Sequence, residues 1–389
     1  MEASDVASGE RIADVRSYIC QVTPHRSLHV VVVETASGHI GVGECSQSDQ
    51  DLAVQQNLRV LTEKVRGYSV FDLCERLTPW LASGRSGRAW AVAVSGVEMA
   101  VWDLQAKIVG RPAFQLWGGS CRERVRCYAT VAVGVDTTSQ DEVFAECARL
   151  INDGFRAVKI VPFSGLSRAK LLDRETRLGI GRGIELLRAL RSSYPELDIA
   201  VESNFAFSER VASLVLHEVA EFELLWVEAP LWWDDEQALS RLRSISEVPI
   251  ASGELGHGKT AYRALIEANA IDVIQPDVKW CGGCSEFRKI AAWSEVHQIS
   301  VAPHNNSGPI ATAVSAHLAM HLSNCALLEV SSRMPTWANE LGIGAEMVEH
   351  GSISRDRLCS TAGFGVSVRE EVLRGLLDSP RESSPSLMN

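Results

Sequence analysis

From residue 125 onward, short apolar runs alternate with amphipathic segments of helix length. The runs lie at 125–133, 157–161, 199–201, 224–227, 249–251, 273–274, 300–302 and 327–330. Eight strands alternating with helices are what a closed α/β barrel of the (β/α)8 type requires. The rival is an open, doubly wound sheet, but no glycine-rich phosphate turn follows a first strand here.

The chain before residue 120 is organised differently. Residues 28–35 and 39–45 form two strands around the turn Ala36-Ser-Gly38, a hairpin, and residues 51–117 are helical in pattern. Val94, Val97, Val101, Leu104 and Ile108 repeat at helical spacing, and Gly110-Arg-Pro112 stops that helix. The expected organisation is an α+β domain over 1–120, a barrel over 121–340, a segment over 341–378 that returns to the first domain, and a Ser- and Pro-containing disordered tail over 379–389.

Charge and composition narrow the function. The 389 residues carry 38 basic and 49 acidic side chains, a net charge of −11. That balance argues against nucleic acid as a partner and against docking on anionic lipid. Residues 1–17 contain no apolar core and no run of eighteen apolar residues occurs, so the expectation is a cytoplasmic protein with no membrane partner. The ten scattered cysteines read as reduced thiols. Cys281-Gly-Gly-Cys284 lacks the second pair that a zinc site needs and reads as a strand-to-helix turn.

The informative signal is a polar residue at the end of successive strands. Glu202, Glu228, Glu254, Asp277, His304 and Glu329 follow one another at intervals of 26, 26, 23, 27 and 25 residues. One βα unit of a barrel takes about that many residues, so the spacing sets these side chains around the C-terminal rim, where barrel enzymes keep their chemistry. A lone acidic residue at a strand end is ordinarily a helix cap or a solvated charge. Three at one period, each after an apolar strand, are a different matter. They would repel and raise one another's pKa unless a cation neutralised them, and an all-oxygen set suits one Mg²⁺. Asn204 shares the face of Glu202 if the strand stays extended, as a ligand-side or substrate-binding partner. Asp277 and His304 come from neighbouring strands. An imidazole held by a carboxylate is fixed in tautomer and made more basic, so His304 is a candidate general base or acid. Glu329 would donate a hydrogen bond to a substrate carboxylate if its own pKa is raised. Lys159 would point into the same mouth. His257 and Trp232-Trp233 are assigned to packing.

This pattern resembles the enolase superfamily, in its mandelate racemase and muconate lactonizing group. The residues that carry the resemblance are Gly41-Val-Gly-Glu-Cys45, then Ser95-Gly-Val-Glu-Met-Ala-Val-Trp-Asp-Leu-Gln-Ala-Lys107, Gly110-Arg-Pro112 and Leu116-Trp-Gly-Gly119. Trp226-Val-Glu-Ala-Pro230, Ser252-Gly-Glu254, Gln275-Pro-Asp277, Gly282-Gly283, Pro303-His304 and Thr361-Ala-Gly-Phe-Gly-Val366 follow in the family's order. The resemblance implies an α+β capping domain on a modified (β/α)7β barrel. Cap loops around 22–26 and 46–51 would close the mouth and select the substrate, which makes His25 and Arg26 candidate substrate-binding residues. It also implies a homo-oligomer, one Mg²⁺ per subunit, and removal of the proton α to a carboxylate to give a Mg²⁺-stabilised enediolate.

Two residues depart from the family's pattern. The second strand usually ends Lys-x-Lys, and here it reads Lys159-Ile-Val161; the first metal ligand is usually Asp, and here it is Glu202. Without the second lysine a two-base racemase loses a partner for His304, whereas a dehydratase can work with one base and one acid. The expectation is therefore a lyase that dehydrates an acid sugar, an aldonate or aldarate. Glu202, Glu228 and Glu254 would hold the metal, and His304 with Asp277 would move the proton. Glu329 and Lys159 would touch the small-molecule carboxylate. The alternatives are a racemase, epimerase or cycloisomerase of the same superfamily and a non-catalytic acid-sugar-binding barrel.

Overall fold

A computed structural model describes residues 10–23, 26–47, 49–81, 87–131, 139–166, 173–331 and 347–378. The tail at 379–389, residues 341–346 and candidate His25 lie outside these residues.

The N-terminal part is a three-stranded antiparallel sheet, β1 (Ile12–Thr23), β2 (Arg26–Thr35) and β3 (Ile40–Glu44), in that order. Helices α1 (Asp51–Val65), α2 (Val70–Leu81) and α3 (Arg88–Val109) cover it. Strand β1 was not evident from the sequence. Its apolar alternation is broken, its pairing with β2 shifts register near both ends, and much of its cover comes from the far end of the chain. The continuous apolar run of β2 has a different cause: Val31 and Val33 face the cap helices, while Val30 and Val32 join the core shared with the barrel. Sheet and helix approach closely because β3 carries glycines. A Cβ on Gly41 or Gly43 would lie 2.1 Å from the carbonyl oxygen of Ala100 or Gly96. Helix α3 ends at Gly110, whose φ of 70° places it in the left-handed region that glycine enters at no steric cost.

A short helix, α4 (Ala113–Leu116), leads into the barrel. Eight parallel strands follow: β4 (Arg124–Thr130), β5 (Ala157–Ile160), β6 (Asp198–Glu202), β7 (Trp226–Glu228), β8 (Ile250–Ser252), β9 (Val273–Ile274), β10 (Ser300–Val301) and β11 (Leu328–Ser331). They pair in sequence order, and β11 returns to β4. Val301 bonds Asn324 and Ala326 just ahead of β11, which completes the ring. Seven helices join them: α5 (Gln140–Asn152), α6 (Arg174–Ser193), α7 (Glu209–Val219), α8 (Glu236–Ile245), α9 (Gly258–Glu267), α10 (Gly283–Val296) and α11 (Pro309–His321). The architecture is a (β/α)7β barrel with an antiparallel capping sheet. Beyond it, β12 (Ser352–Ser354) pairs with β4, α12 (Arg355–Cys359) follows, and α13 (Glu370–Asp378) packs on β1, where Arg16 pairs with Glu370 at 2.8 Å. Among the described residues no helix is long and apolar enough to cross a membrane.

The barrel interior is filled in layers. One apolar layer takes one residue from each stave: Tyr128, Ala157, Ala200, Trp226, Ala251, Val273, Ala302 and Leu327. Tyr128 and Trp226 meet edge to face, 5.4 Å between ring centroids, and the four alanines leave them room.

A buried imidazole elsewhere gives this fold a pH signature. His317 of α11 lies between Phe114 and Phe364, 5.5 and 5.4 Å between ring centroids, and its Nδ1 accepts the Phe114 N–H at 3.4 Å. Burial pushes its pKa down to about 3, with the Phe364 backbone pulling weakly the other way. The unfolded imidazole titrates near 6.5, so between the two values the unfolded state binds more protons. Stability from this neutral group is full above about pH 6.5 and is lost as pH falls toward 3. Chemical denaturation should show a loss of roughly 2 kcal/mol from this residue between about pH 7.5 and pH 5, and His317→Gln should flatten the profile by that amount.

Candidate active site

Side chains alternate across a strand, so the residue two places beyond each member of the apolar layer also faces inward, one step nearer the C-terminal rim. Counting on from that layer gives Thr130, Lys159, Glu202, Glu228, Gly253, Gln275, His304 and Glu329. Seven of the eight are polar. At the eighth, Gly253 has a φ of 116°, and the chain turns so that Glu254, not residue 253, reaches the cluster. Asp277 stands two residues beyond Gln275.

Glu202, Glu228 and Glu254 each offer a carboxylate oxygen within 4.8 Å of the others. Glu202 and Glu228 are directly paired in register on neighbouring strands. Lys159, 3% exposed, stands among the acids, with Nζ at 2.7 Å from Glu228, 3.0 Å from Glu329 and 3.4 Å from Glu202. Burial and the neighbouring Glu228 push the Glu202 carboxyl well above its usual range. Burial likewise raises Glu254, with His304 opposing. Burial would raise Glu228 as well, but the ammonium of Lys159 takes it below the usual value. Second contacts fix the ligand oxygens. Glu228 Oε2 accepts from Gln275 Nε2 at 2.7 Å and Trp226 Nε1 at 3.2 Å, and Glu202 Oε1 accepts the Asn204 N–H at 2.6 Å. An all-carboxylate set this close fits a hard divalent cation, which would offset the charge that Lys159 leaves over.

His304 faces the cluster from the other side. Its Nε2 is 3.5 Å from Glu254, and its Nδ1 is 2.9 Å from Asp277 Oδ2. Burial works against protonation of this ring, but Glu254 and Asp277 outweigh it and raise the pKa to about 9. Asp277 is held low against its burial by Lys279, 3.6 Å away, and by His304, and it also accepts the Lys279 N–H at 2.8 Å. Trp280 packs on the imidazole at 5.3 Å.

Two expectations are corrected, those for Glu329 and Asn204. Glu329 does not meet the condition set for it, a raised pKa. Burial raises it, but Lys159 and His304 prevail and hold it at about 2, and it accepts from Thr130 at 2.5 Å and from the Asn305 N–H at 2.9 Å. Its observed role is that of an acceptor. Lys159 does reach the mouth, where its ammonium is engaged by three glutamates. Asn204 does not share an extended face with Glu202. The strand ends at Glu202, Asn204 and Phe205 take φ of 49° and 57°, and the Asn204 side chain is exposed while its N–H turns back to Glu202. Arg26 reaches the loop after His304, where its Nη2 donates to Asn306 Oδ1 at 2.8 Å. Sequence reasoning missed Thr130, Trp226, Gln275 and Lys279. The first and third were legible as the second inward position after an apolar one, and Trp226 as the member of the apolar layer whose indole N–H reaches up to the rim.

Comparison with known proteins agrees with this geometry. Residues 17–118 match the family model described as the mandelate racemase / muconate lactonizing enzyme N-terminal domain, and residues 142–372 match that described as the enolase C-terminal domain-like family. A D-xylonate dehydratase of Haloferax volcanii is 28% identical over 328 residues, 83% of this chain and 79% of that protein. An L-rhamnonate dehydratase of Saccharopolyspora erythraea is 29% identical, over 88% of this chain and 83% of that one. A mandelate racemase/muconate lactonizing enzyme-like protein from Rubrobacter xylanophilus superposes with a TM-score of 0.84 at 27% identity, covering 95% of this chain and 98% of that chain.

The placement of Lys159 yields a test. Lys159→Met removes the only ammonium touching Glu202, Glu228 and Glu329 among the described residues. In EDTA the variant should melt several degrees below the wild type, since breaking one side of a buried ion pair costs about 3–5 kcal/mol. Titration with Mg²⁺ or Mn²⁺ should then raise its Tm by more than that of the wild type. Equal Tm values in EDTA would contradict the neutralising role.

Proposed function

This chain belongs to the mandelate racemase / muconate lactonizing enzyme family of the enolase superfamily, and from that premise we propose that it is a Mg²⁺-dependent hydro-lyase acting on an acid sugar. The substrate would be an aldonate or aldarate and the product a 2-keto-3-deoxy acid. The observation that carries the reading is the opposition of His304 to the acidic triad, with its far nitrogen held by Asp277 at 2.9 Å. The dehydratase names of the D-xylonate and L-rhamnonate relatives support the reaction class.

Glu202, Glu228 and Glu254 would hold the ion. A bound divalent cation supplies Lewis-acid stabilisation of the charge that develops on a carboxylate when its α-proton leaves. The protein's own groups do the rest. Glu254 draws the His304 ring toward its protonated form, a pull that would fall away once that carboxylate is spent on the ion. His304 Nε2 would then take the α-proton, with Asp277 fixing the tautomer that leaves Nε2 free to act and stabilising the imidazolium that results. The electron pair left on carbon forms the enediolate. The β-carbon–oxygen bond then breaks, His304 returns its proton to the departing hydroxyl, and water leaves. The resulting enol tautomerises to the 2-keto acid. Lys159 keeps the surplus negative charge of Glu202, Glu228 and Glu329 small. Lys159 stands within 3.4 Å of three carboxylates, and the place of the family's second lysine is taken by Val161. Among the described residues His304 is therefore the one group well placed to move a proton, which favours elimination over two-base racemisation.

Screening a panel of aldonates and aldarates with Mg²⁺, with semicarbazide to trap 2-keto acid, tests the reading. Turnover should require Mg²⁺ and be abolished by EDTA. His304→Asn should lower kcat by at least about 100-fold while leaving Mg²⁺ affinity nearly unchanged, and Glu228→Gln should weaken Mg²⁺ binding first. Exchange of the α-proton in D₂O without keto product would indicate an epimerase. Tight binding without exchange or turnover would indicate a sensor. An active His304→Asn would remove the role given to the imidazole.

A further inference from the structure

Asp277 and His304 stand on different staves, so the distance between them depends on how the helices after β9 and β10 are seated. The helices of the other staves mostly begin on their own capping side chains: Ser139 for α5, Asp173 for α6, Ser208 for α7 and Asp235 for α8. The two that follow the dyad differ. Helices α10 and α11 have glycine at the N-cap, Gly282 and Gly308, and neither has a capping side chain of its own. Four N–H groups at the start of a helix need partners. Here the partners come from the capping domain.

At α10, Glu98 of α3 accepts the Cys284 N–H at 2.7 Å and the N–H and hydroxyl of Ser285 at 3.0 and 2.6 Å, while Ser95 Oγ accepts the Gly282 N–H at 3.0 Å. At α11, Glu44 of β3 accepts the Gly308 N–H at 2.9 Å and the Ala311 N–H at 3.0 Å. Both carboxylates are enclosed, Glu98 1% and Glu44 0% exposed. The glycines leave room for them: a Cβ on Gly283 would lie 2.1 Å from Glu98 Oε2, and one on Gly308 would lie 2.6 Å from Glu44 Oε2. Each glutamate offers both side-chain oxygens as acceptors, so each satisfies two N–H groups at a helix start that would otherwise lack partners. Gly308 is four residues after His304, and Cys284 is seven after Asp277.

We infer that Glu44 and Glu98 are positioning residues: the capping domain sets the Asp277–His304 contact by supplying the paired acceptor oxygens for the N-termini of the two helices that follow those residues. The catalytic consequence rests on the function proposed above for His304; the seating of the dyad does not.

The test uses the full chain loaded with Mg²⁺. Glu44→Gln and Glu98→Gln are compared with Asp103→Asn. Asp103 is another enclosed carboxylate of α3, but it bonds the Val42 and Phe364 N–H groups and Lys107, none of them next to the dyad. The first readout is the imidazole Nδ1 proton resonance of His304 in ¹⁵N-histidine-labelled protein, assigned by its loss in His304→Asn. It should be unchanged in Asp103→Asn and shifted or lost in both Gln variants. The second is turnover on D-gluconate, D-galactonate and D-xylonate. With whichever of these the wild type dehydrates, the Gln variants should lose about 10–100-fold in kcat with little change in KM, and Glu44→Asp and Glu98→Asp should recover part of it. If the Gln variants do not fold, the Asp variants, whose carboxylates are shortened by one methylene, carry the same comparison with smaller displacements expected. Folded variants that keep the wild-type resonance overturn the inference, as does an equal perturbation by Asp103→Asn. A wild type inactive on all three sugars counts against the proposed function and leaves the resonance to decide the positioning.

Discussion

Three buried glutamates, Glu202, Glu228 and Glu329, and the partly buried Glu254 share the rim of this barrel with Lys159, and the mutual repulsion of those carboxylates is the constraint to which the rest of the site answers. In a medium of low dielectric, such charges cannot all persist side by side without compensation. Lys159 relieves Glu228 and Glu329, which stay below the usual carboxylate range, while Glu202 and Glu254 are driven above it. The unrelieved pair marks where further positive charge is wanted, and with Glu228 it forms the set of three that closes within 4.8 Å. The imidazole of His304 sits against the same excess and is drawn toward its protonated form.

The fold makes this crowding geometrically unavoidable. Parallel staves of nearly equal unit length bring equivalent positions to one height, and the two-residue period of a strand puts a polar ring directly above the apolar one. Below, Tyr128 and Trp226 fill a layer otherwise made of four alanines, Val273 and Leu327. Their bulk blocks the interior beneath the charges, and Trp226 adds an indole N–H to Glu228. The capping domain acts at the opposite edge of the same layer. Its glycines at 41 and 43 let β3 lie on α3, and α3 and β3 then present Glu98 and Glu44 to two barrel helices.

Much of this was legible in the residues. The period of Glu202, Glu228 and Glu254 gave the triad, and the interval from Asp277 to His304 gave the pair, because both depend only on unit length and strand alternation. What failed depended on conformation at a single residue or on contacts across the chain. Asn204 was assigned to an extended strand, but two consecutive left-handed residues turn it outward. Donation by Glu329 was made conditional on a raised pKa, and the condition fails because the Lys159 ammonium, 3.0 Å away, and the His304 ring hold Glu329 low. Strand β1 was missed because α13, more than three hundred residues away, supplies part of its cover. Glu98 and Glu44 lay inside quoted motifs, yet sequence spacing could not show that a glutamate on one domain would meet a helix start on another.

The most direct test of the account is anomalous diffraction at the manganese edge from crystals of the protein grown with Mn²⁺. The account predicts one strong peak per chain, within bonding distance of oxygens from Glu202, Glu228 and Glu254, with the His304 ring facing it and Asp277 behind that ring. A peak elsewhere, or none while Lys159 keeps its contacts with Glu202 and Glu228, would contradict it.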